Sequence, residues 1–81
     1  MHVGVKLFAQ LRDLAGASDV TCEVPDGATA RDVWQALVAL HPSLGKFETS
    51  VSCAVNAEYA KLHTAVRAGD EVAFLPPVSG G

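Results

Sequence analysis

"TARDVWQALVALHP", Thr29 to Pro42, is the stretch whose reading decides the fold. Thr29 is a good helix N-cap, because its hydroxyl can accept from a backbone N–H that the first helical turn leaves without a partner. Asp32 stands three residues on, close to a capping box but with the shorter acid. Val33, Leu37 and Leu40 recur at i, i+4 and i+7, flanked by Trp34 and Ala36, so one face is apolar. Pro42 has no N–H and restricts the residue before it, which predicts a stop after His41. A single amphipathic helix of about twelve residues can cover one face of one small sheet.

The flanking segments supply that sheet. "HVGVKLF" (His2 to Phe8) alternates, with Val3, Val5 and Leu7 on one face and His2, Gly4, Lys6 and Phe8 on the other, as a half-buried strand does. "AQLRDLAG" predicts a short helix with Leu11 and Leu14 at i, i+3, ended by Gly16. "DVTCEV" alternates again and runs into Pro25-Asp26-Gly27, a turn signature. "SLGKFETS" is weakly patterned and accommodates one short helical turn. "VSCAVNAEYAKL" reads as two short strands joined near Asn56-Ala57-Glu58. "RAGDEVAFL" supplies a Gly69-Asp70 turn and a last strand, with Val72 and Phe74 inward and Ala73 and Leu75 outward. The expected architecture is α+β, one main helix in the grip of a small mixed sheet: a domain over 1–75 and an extended, flexible tail over 76–81.

The chain has 81 residues and a net charge of −3, which argues against nucleic acid, whose binding needs a basic face. No apolar run approaches the ~20 residues of a membrane span. Lys6 interrupts the apolar N-terminus, which therefore reads as structure and not as a signal peptide, and a cytoplasmic location is expected. Cys22 and Cys53 each sit between valines at strand spacing, as small buried hydrophobes do. His2, His41 and His63 are scattered, so neither a disulfide nor a metal site is expected.

Phe8 ends the first strand outward and Leu75 ends the last one outward. If those strands are neighbours, two large apolar side chains lie together in water, and Tyr59 can join them in a patch for a protein partner. Beyond Leu75 the sequence is "PPVSGG". Pro76 and Pro77 cannot extend a ladder and favour an extended backbone. Pro76 to Gly81 spans about 20 Å when extended. Val78 can anchor, while Ser79, Gly80 and Gly81 are slim enough for a narrow channel. The terminal carboxylate is ionised and unreactive at neutral pH until activated, most simply as a mixed anhydride with AMP. No phosphate-binding loop or Ser/His/Asp set is present to do this within the chain, so it is not expected to be an enzyme on its own.

"LFAQLRDLAG" at Leu7 to Gly16, "AVN" at Ala54 to Asn56 and "GDEVAFLPPVSGG" at Gly69 to Gly81 resemble the small sulfur-carrier subunits of molybdopterin synthase. The resemblance covers nearly the whole chain and implies a ubiquitin-like β-grasp fold. It implies that Gly81 is adenylated by an E1-like adenylyltransferase using ATP and becomes a thiocarboxylate. The tail, Pro76, Pro77, Val78, Ser79 and Gly80 included, then enters the large subunit of the synthase. There the sulfur passes to cyclic pyranopterin monophosphate to build the dithiolene of molybdopterin, in a complex of two small and two large subunits. The family's docking positions fall on Phe8, Tyr59 and Leu75, and its arginine falls on Arg12. No cofactor is implied for this chain itself.

Three other readings compete. A carrier for the thiazole of thiamine shares fold and Gly-Gly but typically lacks "FLPPVSGG". A ubiquitin-like modifier joined through Gly81 to lysines of target proteins uses the same activation chemistry. A plain interaction domain with an inert tail requires both prolines and the slim tip to be accidental.

Overall fold

The computed structural model describes residues 1–77. Eight elements follow one another: β1 (His2–Leu7), α1 (Ala9–Ala15), β2 (Asp19–Glu23), α2 (Ala30–Leu40), a 3-10 helix (Pro42–Phe47), β3 (Ser52–Val55), β4 (Glu58–Ala60) and β5 (Glu71–Leu75). The strands form one five-stranded sheet in the order β2-β1-β5-β3-β4. β5 runs parallel to β1, and the other pairs are antiparallel. Among the described residues no helix is long and apolar enough to cross a membrane.

α2 forms where its caps predict. The Thr29 hydroxyl accepts from Asp32 N, and the Asp32 carboxylate accepts from Thr29 N at 2.9 Å, so the shorter acid does close a capping box. Two further N–H groups of this end, on Ala30 and Arg31, donate to the carbonyls of Thr64 and Leu62. The loop before β5 thus satisfies donors that a helix start leaves free. Ala30, Val33, Trp34 and Leu37 are buried, but Leu40 is 65% exposed. The chain reverses at Pro42, and Leu44 of the 3-10 helix, fully buried, closes that end of the core in its place.

The core lies between α2 and the inner face of the sheet. Val3, Val5, Leu7, Cys22, Cys53, Val72 and Phe74 all point into it. The Trp34 and Phe74 rings lie 5.1 Å apart, tilted by 59°. Trp34 Nε1 is buried without an acceptor, a cost of about 1–3 kcal/mol. Burying an indole of about 200 Å² contributes about 5 kcal/mol, so the residue remains net stabilising. On α1, Leu11 is buried while Leu14 is 37% exposed, because the inward stripe runs from Leu11 to Ala15 at i, i+4, and it is Ala15 that packs against the core. Leu14 lies instead beside Phe47, along a shallow groove.

Candidate functional site

Alternation sends the second set of strand side chains to the face opposite α2. The ladder aligns them in rows across the sheet. One row reads Asp19, Lys6, Ala73, Ala54 and Tyr59, through the pairs Lys6–Asp19, Lys6–Ala73, Ala54–Ala73 and Ala54–Tyr59. The next row toward the end of β5 pairs Leu75 with Ser52. Because Leu7 pairs with Phe74, Phe8 follows β1 to the level of Leu75. Phe8, Leu75, Ala73, Ala54 and Tyr59 therefore share one face, as an apolar diagonal across four strands.

The members differ in exposure. Tyr59 is 83% exposed and Phe8 44%, whereas Leu75 is half-buried among its neighbours and less open than its outward position predicts. Phe8 is extended (φ −127°, ψ 155°) and precedes α1 without a side-chain cap, and Ala9 then takes a positive φ of 51°. That conformation disfavours any residue with a Cβ. It lets the chain leave β1 directly after Phe8. The far half of the face is polar and internally paired. Lys6 Nζ lies 2.8 Å from Asp19 and 4.0 Å from Glu71, which raises the lysine pKa, chiefly through the Asp19 hydrogen bond, and lowers that of Asp19.

The β3–β4 turn is held by a cross-strand clamp. Asn56 and Ala57 have φ of 50° and 71°, the pattern of a two-residue type I′ turn. Asn56 Oδ1 accepts from Glu71 N at 3.0 Å, and its Nδ2 donates to Asp70 Oδ1 at 3.1 Å. Asp70 also accepts from Arg67 N, and these bonds hold its carboxyl below the usual range, Asn56 contributing most. Asn56 thus ties the turn to the start of β5, which explains physically why an asparagine follows Ala54-Val55. The sequence places Asn56 in the turn between two strands, where asparagine tolerates a positive φ, but not in a bond to β5.

β5 lies between β1 and β3 and ends at Leu75. Pro76 is half-buried, Pro77 is exposed, and neither belongs to a strand. Val78, Ser79, Gly80 and Gly81 lie outside the described residues. Arg12 sits exposed on α1, its Nε 3.8 Å from Asp13 Oδ1. It does not join the apolar diagonal by register. Cys22 and Cys53 are buried, their thiol pKa values raised by desolvation, and Cys53 Sγ donates to Ala60 O. Both are poor nucleophiles in that state. Among the described residues no group of three or more His, Cys, Asp or Glu could hold a metal ion.

Comparison with known proteins adds to this geometry. The model of the ThiS family matches residues 5–81. The chain is 39% identical to the molybdopterin synthase sulfur carrier subunit of Chlamydomonas reinhardtii, over 100% of each. It is 42% identical to small archaeal modifier protein 1 of Haloferax volcanii, over 94% of this chain and 97% of the relative. The crystal structure of the Haloferax protein matches with a TM-score of 0.88 and 38% identity, covering 100% of both chains. The β-grasp sheet, the family match along almost its entire length and full-length relatives at this identity make the chain a member of the ThiS family, among the ubiquitin-like sulfur carriers that include the small subunits of molybdopterin synthase.

Proposed function

We propose that this chain carries sulfur on its C-terminus for molybdenum cofactor biosynthesis. The Gly81 carboxylate attacks the α-phosphorus of ATP in an E1-like adenylyltransferase, pyrophosphate leaves, and an acyl adenylate forms. Hydrosulfide then displaces AMP to give the thiocarboxylate. Inside the large subunit of molybdopterin synthase that sulfur bonds to cyclic pyranopterin monophosphate, water cleaves the acyl–sulfur bond, and the carboxylate returns for another cycle. The large subunit supplies the reaction site, and this chain is its non-catalytic sulfur-donating subunit.

One observation carries the reading. β5 contributes Ala73 and Leu75 to the apolar diagonal and runs straight into Pro76-Pro77. The docking surface and the delivered arm therefore share one strand, flanked on both sides. A partner gripping Phe8, Leu75 and Tyr59 receives the tail at a set position, and the two prolines limit the entropy lost in threading it. Arg12, near the C-terminal end of β1, is the cation for an acidic group on a partner.

The test is the intact mass of the chain produced with its activating enzyme: one oxygen replaced by sulfur at the terminus is expected. Deleting Gly81 is expected to abolish pterin sulfuration while the fold persists; a truncated chain that still supports it ends the proposal. The 42% identity to an archaeal modifier favours a second reading, conjugation through Gly81 to lysines. Adducts of high mass that survive denaturant and reductant are its signature.

A further inference from the structure

Arg31, Lys61 and His63 line one open hollow of about 460 Å³, together with Ser52 and Tyr59 and with no acidic residue. In a chain with nine acidic and six basic residues this is a local reversal of charge. Among the described residues Arg31 and Lys61, like Lys46 and Arg67, have no carboxylate within ion-pair distance, but only Arg31 and Lys61 line one hollow together. Unpaired cations around a hollow are set up to meet an anion from outside.

The hollow lies along β4, the last strand of the sheet, which pairs only with β3. Val55 and Glu58 close the two-residue turn as a hydrogen-bonded pair, and such pairs alternate along an antiparallel ladder. Tyr59, opposite Ala54, therefore directs its N–H and C=O away from β3, toward the open edge. Its side chain meanwhile ends the apolar diagonal of the outer face. The same residue thus belongs to the docking face and to the cationic edge, with no gap between them. The opposite edge, β2, bears Asp19 and Glu23.

We infer that this edge docks an extended acidic segment of the protein that covers the outer face. The segment adds a strand to β4 through the backbone of Tyr59, and its carboxylates meet Arg31, Lys61 and His63. An anion alone needs only the cations. Open ladder groups beside them select an extended chain. Glu58, exposed on β4 but not lining the hollow, orients the segment, its acidic end lying toward Lys61 and His63. The inference rests on the carrier reading and extends it to how a partner is chosen.

The experiment compares the full-length chain with its R31E/K61E variant for binding to the purified activating enzyme and to the purified large subunit. It uses two salt concentrations and follows hydrogen exchange at the Tyr59 amide in each complex. Glutamate in the first turn of α2 suits the helix dipole, and the Arg31 bond to Leu62 is made by backbone, so the variant keeps its fold. One partner is expected to bind the variant about tenfold more weakly, with a smaller salt dependence, and to slow exchange at Tyr59 in the unaltered chain. Equal affinity of both chains for both partners, or unslowed Tyr59 exchange in every complex, overturns the inference. Sulfur at Gly81 is read separately by intact mass. A chain that docks through β4 yet never gains sulfur ends the carrier reading and leaves the docking edge standing.

Discussion

The two faces of the sheet come from the same strands and the same alternation, yet they are used in opposite ways. On the inner face Val3, Val5, Leu7, Val72 and Phe74 are each at most 1% exposed, closed over by Trp34 and Leu37. On the outer face Lys6 pairs with Asp19 and Glu71 at one end, while Phe8 and Tyr59 at the other stand exposed. Burial stabilises by about 25 cal/mol per Å² wherever it occurs. The inner face draws that stabilisation from folding, and the outer one can draw it only from a partner. The contrast separates residues that hold the domain together from residues that connect it.

Truncation is the direct way to break the contrast. Phe74→Ala removes the ring packed at a tilt against Trp34 and is expected to cost about 3–5 kcal/mol in urea unfolding. That is a large share of the roughly 4–12 kcal/mol available to a domain of this size. Tyr59→Ala is expected to change stability by no more than about 0.5 kcal/mol, while weakening binding to the large subunit by about 2 kcal/mol in titration calorimetry. Leu75→Asp sharpens the comparison further. It is expected to abolish detectable association and, being half-buried, to cost some stability as well. Equal losses of folding and binding for Tyr59 would erase the distinction between the faces.

Smaller effects come from the clamp at the polar end. Asn56→Ala removes both side-chain bonds and puts alanine at positive φ, so about 1–2 kcal/mol of stability is expected to be lost at neutral pH. Asp70 carries the matching pH dependence. Its folded-state pKa lies below the ordinary 3.8, so its contribution is present above the unfolded value and disappears as pH falls through the depressed one. The stability gap between the parent and Asn56→Ala chains is expected to narrow in that acid window, leaving the share due to the Glu71 N bond and the positive φ. Ala57→Gly, at φ 71°, is expected to stabilise the hairpin by about 0.5 kcal/mol, visible as a small rise in midpoint.

Much of this was legible in the sequence because it is local. Thr29, Asp32 and Pro42 bound α2, and the alternation from Val3 to Phe8 sorts inside from outside. Phe8, Leu75 and Tyr59 were assigned to one outward patch, and the register places them on one face. What stayed hidden depends on distant parts of the chain. Leu40 fits the helical period, yet Leu44 takes the burial there after the reversal at Pro42. Leu14 fits i, i+3, but Ala15, at i+4 from Leu11, takes the second inward position. Nothing within residues 61–67 announces that Leu62 and Thr64 complete the start of α2. The Asn56 clamp on Glu71 and the meeting of Arg31 with Lys61 and His63 are likewise products of tertiary folding.

The parallel pairing of β1 with β5 has a mechanical side. A pull on the tail acts along the axis of β5, so the ladders to β1 and β3 are sheared as a set instead of being peeled open one bond after another. On the function proposed above, a partner holding the arm can therefore tug on it, or release it abruptly, with the force shared among many bonds and the folded body left whole.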